Sequence, residues 1–347
     1  MSGVLYWVVT IIVGLLLLTA LVVAHEFGHF LVGKKLGFGI NEFAAGFGPK
    51  LLSKVKNGIR YSLRAIPIGG FVSFVGEDEE VENDPKAFNN RPIWQRFLTI
   101  LAGPVFNFLL AIIITACTLS IFGDAVPVIN TVSSGSGAEQ AGIAAGDRVV
   151  EINGKKIDFY SELSTSVLLS ESDTIKVGVE RNGQNIEKTV HMTKDADTGY
   201  YKMGVTLHGE IRRFSIFEAI GLSFKWLFLM ISQTLQSLKL LIFQGRGASQ
   251  VSGVVGIISL TGTAVKYGAY SVMSLAALIS VSLGIMNLLP FPALDGGRIV
   301  MLAIEKIRGK AIPRNKEAII NVVGLVILFG LMIVVTYNDI LRLISGG

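Results

Sequence analysis

The sequence predicts an α-helical membrane protein with four transmembrane helices, a membrane-inserted β region and one small, β-rich α+β domain outside the membrane. Three observations carry this. Apolar residues fill 51% of the 347 positions and charged residues 16%, with a mean hydropathy of +0.58, a balance that excludes disorder and argues against a soluble enzyme. The apolar residues are bunched into runs of about twenty, the length that crosses a bilayer, around one mixed stretch between residues 123 and 214. Charge is partitioned as well. Residues 31–97 hold 10 Lys/Arg and 7 Asp/Glu and residues 298–316 hold 6 and 1, whereas residues 123–214 hold 10 and 13, which sets two basic segments inside and the acidic one outside. The sole cysteine, Cys117, lies in an apolar run, so no intrachain disulfide forms.

The elements follow in order. Residues 4–24 carry no charge, only Thr10 and Thr19 are polar, and Tyr6 and Trp7 stand where interfacial aromatics belong. Lys34 and Lys35 come after this run, which reads as an uncleaved span with its N-terminus outside. In residues 36–97, Gly46, Gly48, Pro49, Gly69 and Gly70 break any helix while residues 61–66 and 71–75 alternate, so short strands are expected. Backbone of this kind at membrane depth is tolerated only where it lines a protein cavity. The acidic run 77–80 reads as a solvated turn. A second span, residues 97–122, is entered through Arg91 and Arg96. Residues 124–210 form the small domain of short strands and two helices; within it Ala-Gly-Ile-Ala-Ala-Gly-Asp (141–147) reads as a short helix ended by glycine, leading to a strand and an Asn-Gly turn.

Residues 216–243 carry Glu218, Lys225, Gln233, Gln236 and Lys239 at helical spacing, the pattern of an amphipathic helix lying at the interface. Lying flat, it lets the next span (270–289) run inward, keeps the basic loop 298–316 inside and lets the last span (318–337) exit. The domain boundaries are then 1–122, 123–212, 213–268 and 269–347, with both termini outside.

At the inner end of the first span stands His25-Glu26-Phe27-Gly28-His29. Histidines at i and i+4 share a helix face and reach one zinc ion, while the adjacent glutamate reaches water held there. A cluster snorkelling to the membrane edge is the bland alternative, but it explains neither the spacing nor histidine in place of lysine. A catalytic zinc takes three protein ligands. His191 and His208 fall in the outer domain, Glu218 and Asp339 are placed outside, and Glu317 begins the last span, which leaves Asp295 at the inner end of the third span; capping a helix from Arg298 onward is its alternative role.

These residues resemble the site-2 proteases, the intramembrane zinc metalloproteases, and most closely the bacterial regulator-of-sigma-E protease type. The resemblance covers the whole chain and rests on HEFGH (25–29), FAAGFGP (43–49), IPIGGF (66–71), AGPVFNF (102–108) and NLLPFPALDGG (287–297), together with a single PDZ-like insert at 124–210 where larger members carry two in tandem. It implies one Zn2+ per chain held by His25, His29 and Asp295, Glu26 as general base, Asn107 near the active site as a donor to the substrate backbone or oxyanion, and Asn287, Pro290 and Pro292 holding an extended substrate. It also implies a bacterial inner-membrane endopeptidase that cuts single-span proteins, anti-sigma factors or signal-peptide remnants, near the cytoplasmic face. A peptide C-terminus is the expected ligand of the PDZ domain, the lipid bilayer is a partner, and no nucleic acid is. Two other classes remain at this point, an intramembrane metal or proton transporter and a non-catalytic PDZ membrane adaptor. The absence of repeated halves argues against the first, and the intact Glu26 against the second.

Overall fold

The computed structural model describes residues 3–77, 81–168, 170, 172–194, 201–244 and 253–345. In chain order the elements begin with α1 (Gly3–Lys35), β1 (Ile40–Lys56), β2 (Ile59–Phe74) and α2 (Ile93–Ile121). There follow β3 (Asp124–Val132), α3 (Gly137–Gln140), β4 (Arg148–Ile152), β5 (Lys155–Lys156), α4 (Tyr160–Leu168), β6 (Thr174–Arg181), β7 (Gln184–His191), β8 (Thr193–Lys194), β9 (Tyr201–Lys202) and β10 (Val205–Arg212). The chain closes with α5 (Ile216–Gln244), α6 (Val254–Tyr267), α7 (Ala269–Leu288), α8 (Asp295–Arg308) and α9 (Arg314–Ser345). Two compact units result, residues 1–115 with 223–347, and residues 116–222.

In the first unit the expected short strands are two long ones, each bent at glycines in the left-handed region such as Gly46 (φ +83°) and Gly69 (φ +80°). Because of the bends, Glu42, Phe43, Ala44 and Ala45 have partners on both sides, residues 70–73 along one edge and residues 60–63 along the other. The stretch 70–74 is therefore an outer edge of this small sheet. Below it Phe30, Phe38, Phe74, Phe88, Ile100 and Leu302 form an apolar cluster, each fully buried side chain contributing about 1.5–3 kcal/mol. Glu42, 9% exposed, is the polar centre of the sheet: it accepts from Ser62 at 2.5 Å and pairs with Arg64 at 2.8 Å and Lys50 at 3.4 Å.

Five helices among the described residues, α1, α2, α5, α7 and α9, are long and apolar enough to cross a membrane, one more than the sequence reading counts. The additional helix is α5, whose Trp226, Leu227, Met230, Ile231 and Leu238 pack with Ala111 and Ile112 of α2 and with Val281 and Ile285 of α7. Glu218, Lys225 and Lys239, which suggested an interfacial helix, flank this apolar middle. Helix α6 was not foreseen, since its 14 residues are too short for a span. It packs on α1, where Ile258 lies against Gly14 and Gly262 against Thr10 and Tyr6. Its N-terminus is closed by a remote carboxylate, Asp339 of α9, which accepts from the N–H groups of Gly253 (2.9 Å) and Gly256 (2.8 Å). Most of the apolar side chains of α9 are exposed, which suits hydrocarbon and not water.

The second unit is a β sheet in the order β10-β3-β4-β6-β7, with β5 beside β4. Ile129, Val149, Ile152, Leu163, Ile175, Val177, Val179 and Val190 fill its core. The helix expected at 141–147 lies one turn earlier, as α3, because Ser136 caps it: Ser136 Oγ accepts from Glu139 N–H, and Glu139 Oε2 accepts from the N–H of Gly135, the residue before the cap. The Asn153-Gly154 turn between β4 and β5 is as read, both residues having positive φ. Asp147, 1% exposed, receives a two-point hydrogen bond from Arg181 at 2.6 and 2.7 Å.

Candidate metal centre

Helix α1 delivers His25, Glu26 and His29 at i, i+1 and i+4, so both imidazoles leave the same face, with ring centroids 4.7 Å apart. Both are buried. Helix α2 fits against that face because glycines stand where the backbones meet: a Cβ on Gly28 would lie 2.4 Å from the Ala102 carbonyl oxygen, and one on Gly103 would lie 2.3 Å from His29 Nε2. The third group comes from the far end of the sequence. Helix α7 stops at Leu288, the chain turns through Pro290, Phe291 and Pro292, and Ala293 takes φ +69°, held by Asn321 Oδ1, which accepts its N–H at 3.2 Å. That turn aims Asp295, the first residue of α8, at the histidines. The N-cap of α8 is Leu294, so Asp295 does not serve as a cap, and its carboxylate stands at the positive end of the helix dipole.

Asp295 Oδ2 lies 3.0 Å from His25 Nε2 and 3.4 Å from His29 Nε2, and the two Nε2 atoms lie 3.1 Å apart. Ligand bonds of about 2.1 Å at tetrahedral angles separate donor atoms by about 3.4 Å, so one small cation can touch all three. These residues form the one such cluster among the described residues. Three polar atoms brought this close need a shared positive partner, and a metal ion held by all three would supply it. His29 Nδ1 faces the Thr99 carbonyl oxygen at 2.8 Å; with the ring donating there, Nε2 is free for a metal. Two histidine nitrogens and a carboxylate are a zinc ligand set.

A cavity of about 190 Å³ opens beside this cluster, walled by Glu26, Val72, Thr99, Asn287, Asp295 and Arg298 among others. Glu26 Oε2 accepts from the N–H of Val72 at 3.2 Å, on the outer edge of the small sheet. Two residues further along, Phe74 N–H donates to Glu77 Oε2 at 3.2 Å, and Glu77 Oε1 pairs with Arg298 at 2.6 Å. The expectation of a solvated turn is thus corrected at Glu77, which the guanidinium of Arg298 draws onto the cavity wall; residues 78–80 lie outside the described residues.

The structure brings His25, His29 and Asp295 together and sets Glu26 and Asn287 on the adjoining cavity. Asn107 is elsewhere: it is fully buried between helices, 3.2 Å from His25 Nδ1. Pro290 and Pro292 form the turn before Asp295 without lining the cavity, and Pro292 packs on Gly324 of α9. His191 is an exposed residue of β7 and His208 lies in β10, both in the second unit. Sequence reasoning missed Thr99, Val72, Glu77, Arg298 and Asn321. Thr99, Gly103 and Asn107 recur every four residues, and that spacing is the one signal that could have flagged a face of α2.

The chain is similar to known proteins along most of its length. The chain is 35% identical over 330 residues to a Clostridium acetobutylicum protein whose name proposes a zinc metalloprotease, covering 95% of this chain and 97% of that one. It is 30% identical over 411 residues to the zinc metalloprotease RasP of Geobacillus kaustophilus, covering 92% and 95%. The PDZ domain of an SdrC-like protein from Listeria innocua is similar over 25% of this chain and 97% of that one, at 23% identity and a TM-score of 0.23. Peptidase family M50 matches residues 13–331, a stretch that takes in both histidines and Asp295, and the chain belongs to that family.

Proposed function

We propose that this M50 peptidase is an intramembrane zinc endopeptidase that cleaves single-span membrane proteins, with His25, His29 and Asp295 holding one zinc ion and Glu26 as general base. The supporting observation is the convergence of His25 Nε2, His29 Nε2 and Asp295 Oδ2 beside a cavity that also holds the Glu26 carboxylate. Zinc bound there supplies a Lewis acid for the scissile carbonyl and acidifies the attacking water. Glu26 takes the proton of that water and passes it to the leaving amine. A transmembrane helix hides its carbonyls in its own hydrogen bonds, so the substrate must unwind, and its bare backbone regains partners by adding as a strand to the 70–74 edge. Asn287, on the cavity wall, holds that strand, and Pro290 and Pro292, which lie outside the lining, shape the turn that aims Asp295.

In this reading α1, α2, α7 and α9 are the four spans, both termini and the PDZ-type second unit are extracytoplasmic, and the site lies near the cytoplasmic face of a bacterial inner membrane. The basic segments 31–97 and 298–316 support that orientation, and α5 enters the helix bundle from the outer side. Substrates are signal-peptide remnants or anti-sigma factors whose outer parts have already been trimmed, with the second unit screening their size or binding their new C-terminus. Protein purified in detergent is expected to carry one zinc per chain and to cut a tagged single-span substrate. Glu26→Gln should keep the zinc and lose the cut, and a parent without zinc overturns the reading.

A further inference from the structure

Thr99, Gly103 and Asn107 sit at i, i+4 and i+8 of α2 and form one stripe against the two imidazoles. The carbonyl of Thr99 takes the Nδ1 side of His29, and Gly103 gives both rings room, its absent Cβ falling 2.3 Å from His29 Nε2 and 2.8 Å from His25 Cε1. Asn107 completes the pattern on His25. It is wholly buried, and its backbone carbonyl is fixed by Ser280 Oγ at 2.8 Å. Its side-chain amide lies 3.2 Å from His25 Nδ1, and its Oδ1 has no hydrogen-bond partner.

Two arrangements of that amide are possible, related by a half-turn about χ2. If Nδ2 donates to His25 Nδ1, the proton of the ring must sit on Nε2, and His25 cannot face a metal. If Oδ1 accepts from Nδ1–H, the lone pair of His25 is on Nε2, the atom that lies 3.0 Å from Asp295 Oδ2. Only the second is compatible with His25 as a ligand. We propose that Asn107 is a positioning residue: its Oδ1 accepts from His25 Nδ1–H and fixes the tautomer and ring plane of His25, as the Thr99 carbonyl does for His29. It does not touch substrate, and it lies outside the lining of the cavity. The two histidines are thus held by two different acceptors, a carbonyl that no side-chain substitution removes and an amide that one substitution deletes. This inference rests on the metal-site reading above.

The test uses the full-length chain in detergent, with zinc affinity measured by competition against a chelator for the parent, Asn107→Leu and Asn107→Asp. Leucine matches the volume and removes the acceptor; aspartate keeps an acceptor and loses the amide donor. Asn107→Leu is expected to weaken zinc about 10–100-fold, the usual loss for an outer partner of a ligand, and Asn107→Asp to restore most of it. A second readout does not depend on variants that bury a charge. The chain has four histidines, so 15N-histidine spectra of the zinc-free protein resolve the two rings whose signals move when zinc is added. In the zinc-loaded parent both rings should keep a slowly exchanging Nδ1–H, and in Asn107→Leu the one on His25 should exchange faster with water. Zinc affinity unchanged in Asn107→Leu alongside slower cleavage would overturn the proposal in favour of a substrate contact and leave the metal site standing. A parent that binds no zinc overturns both.

Discussion

The backbone N–H of Val72 donates to Glu26 Oε2 at 3.2 Å. This donor points away from the β1 ladder, so it belongs to the free edge of the small sheet, and without substrate it is taken by the proposed base. A substrate strand adding at that edge would claim the same N–H and release the carboxylate. Val72→Pro deletes this donor at an edge position where proline is tolerated. Cleavage of a single-span substrate is expected to fall at least tenfold with zinc content unchanged; full activity in this variant would exclude edge pairing at Val72.

Removing a ligand should cost more metal than removing an outer partner. Asp295→Asn keeps the shape of the side chain and removes its charge, so its zinc affinity should fall by more than the roughly 10–100-fold typical of an outer-shell loss. Chelator competition reads this directly. Glu26→Gln should bind zinc like the parent and cleave about 10²–10⁴-fold more slowly.

Ala293 holds φ +69° next to Asp295. An L-residue pays about 1–2 kcal/mol in the left-handed region, and a β-branched side chain is worse placed there. Ala293→Val is expected to lower the thermal midpoint of the protein in detergent and to weaken zinc, because the turn that aims Asp295 relaxes. Ala293→Gly should stay within about 1 kcal/mol of the parent, since relief of strain offsets the added freedom of the unfolded chain.

Burial would raise the pKa of the Asp147 carboxyl, but the two-point bond from Arg181 and the N–H of Ala144 more than reverse this and hold it below the ordinary aspartate range. A depressed pKa in the folded state contributes stability that is fully present above the ordinary value of 3.8 and is lost as the pH falls through the lower folded value. The protection factors of the core amides of Val177 and Val179, which correct for the slower intrinsic exchange in acid, should therefore fall below about pH 4 in the parent. Asp147→Asn should exchange faster already at neutral pH and show a shallower acid dependence.

What could be read in advance was what is local. The i, i+4 spacing of His25 and His29 and the runs of α1, α2, α7 and α9 need no tertiary information, and Asp295 emerged by elimination because few acids lie in apolar surroundings. The partners of these groups were hidden. Thr99 acts through its backbone carbonyl, and Val72 through its backbone N–H, so neither side chain carries a signal. Glu77 looked like part of a solvated acidic turn because its partner, Arg298, stands near the other end of the chain. The resemblance put Asn107 near the active site as a donor to substrate, whereas in the fold its amide faces a ring nitrogen and lies outside the cavity lining. Helix α5 was read from its charges alone, and the packing of its middle on α2 and α7 was not visible in that pattern.

The cap that Asp339 places on α6 sets an order of events during synthesis. Gly253 and Asp339 are 86 positions apart, and translation adds roughly 5–20 residues per second, so the N-terminal turn of α6 waits roughly 4–17 s for its acceptor. During that interval α6 lacks its cap, although the α1 face it packs on, around Thr10 and Gly14, has long been made. The cap of the helix that packs on the first turns of α1 is therefore completed only when α9 arrives. A ribosome that stops before residue 339 releases a chain with every metal ligand present and this closure missing.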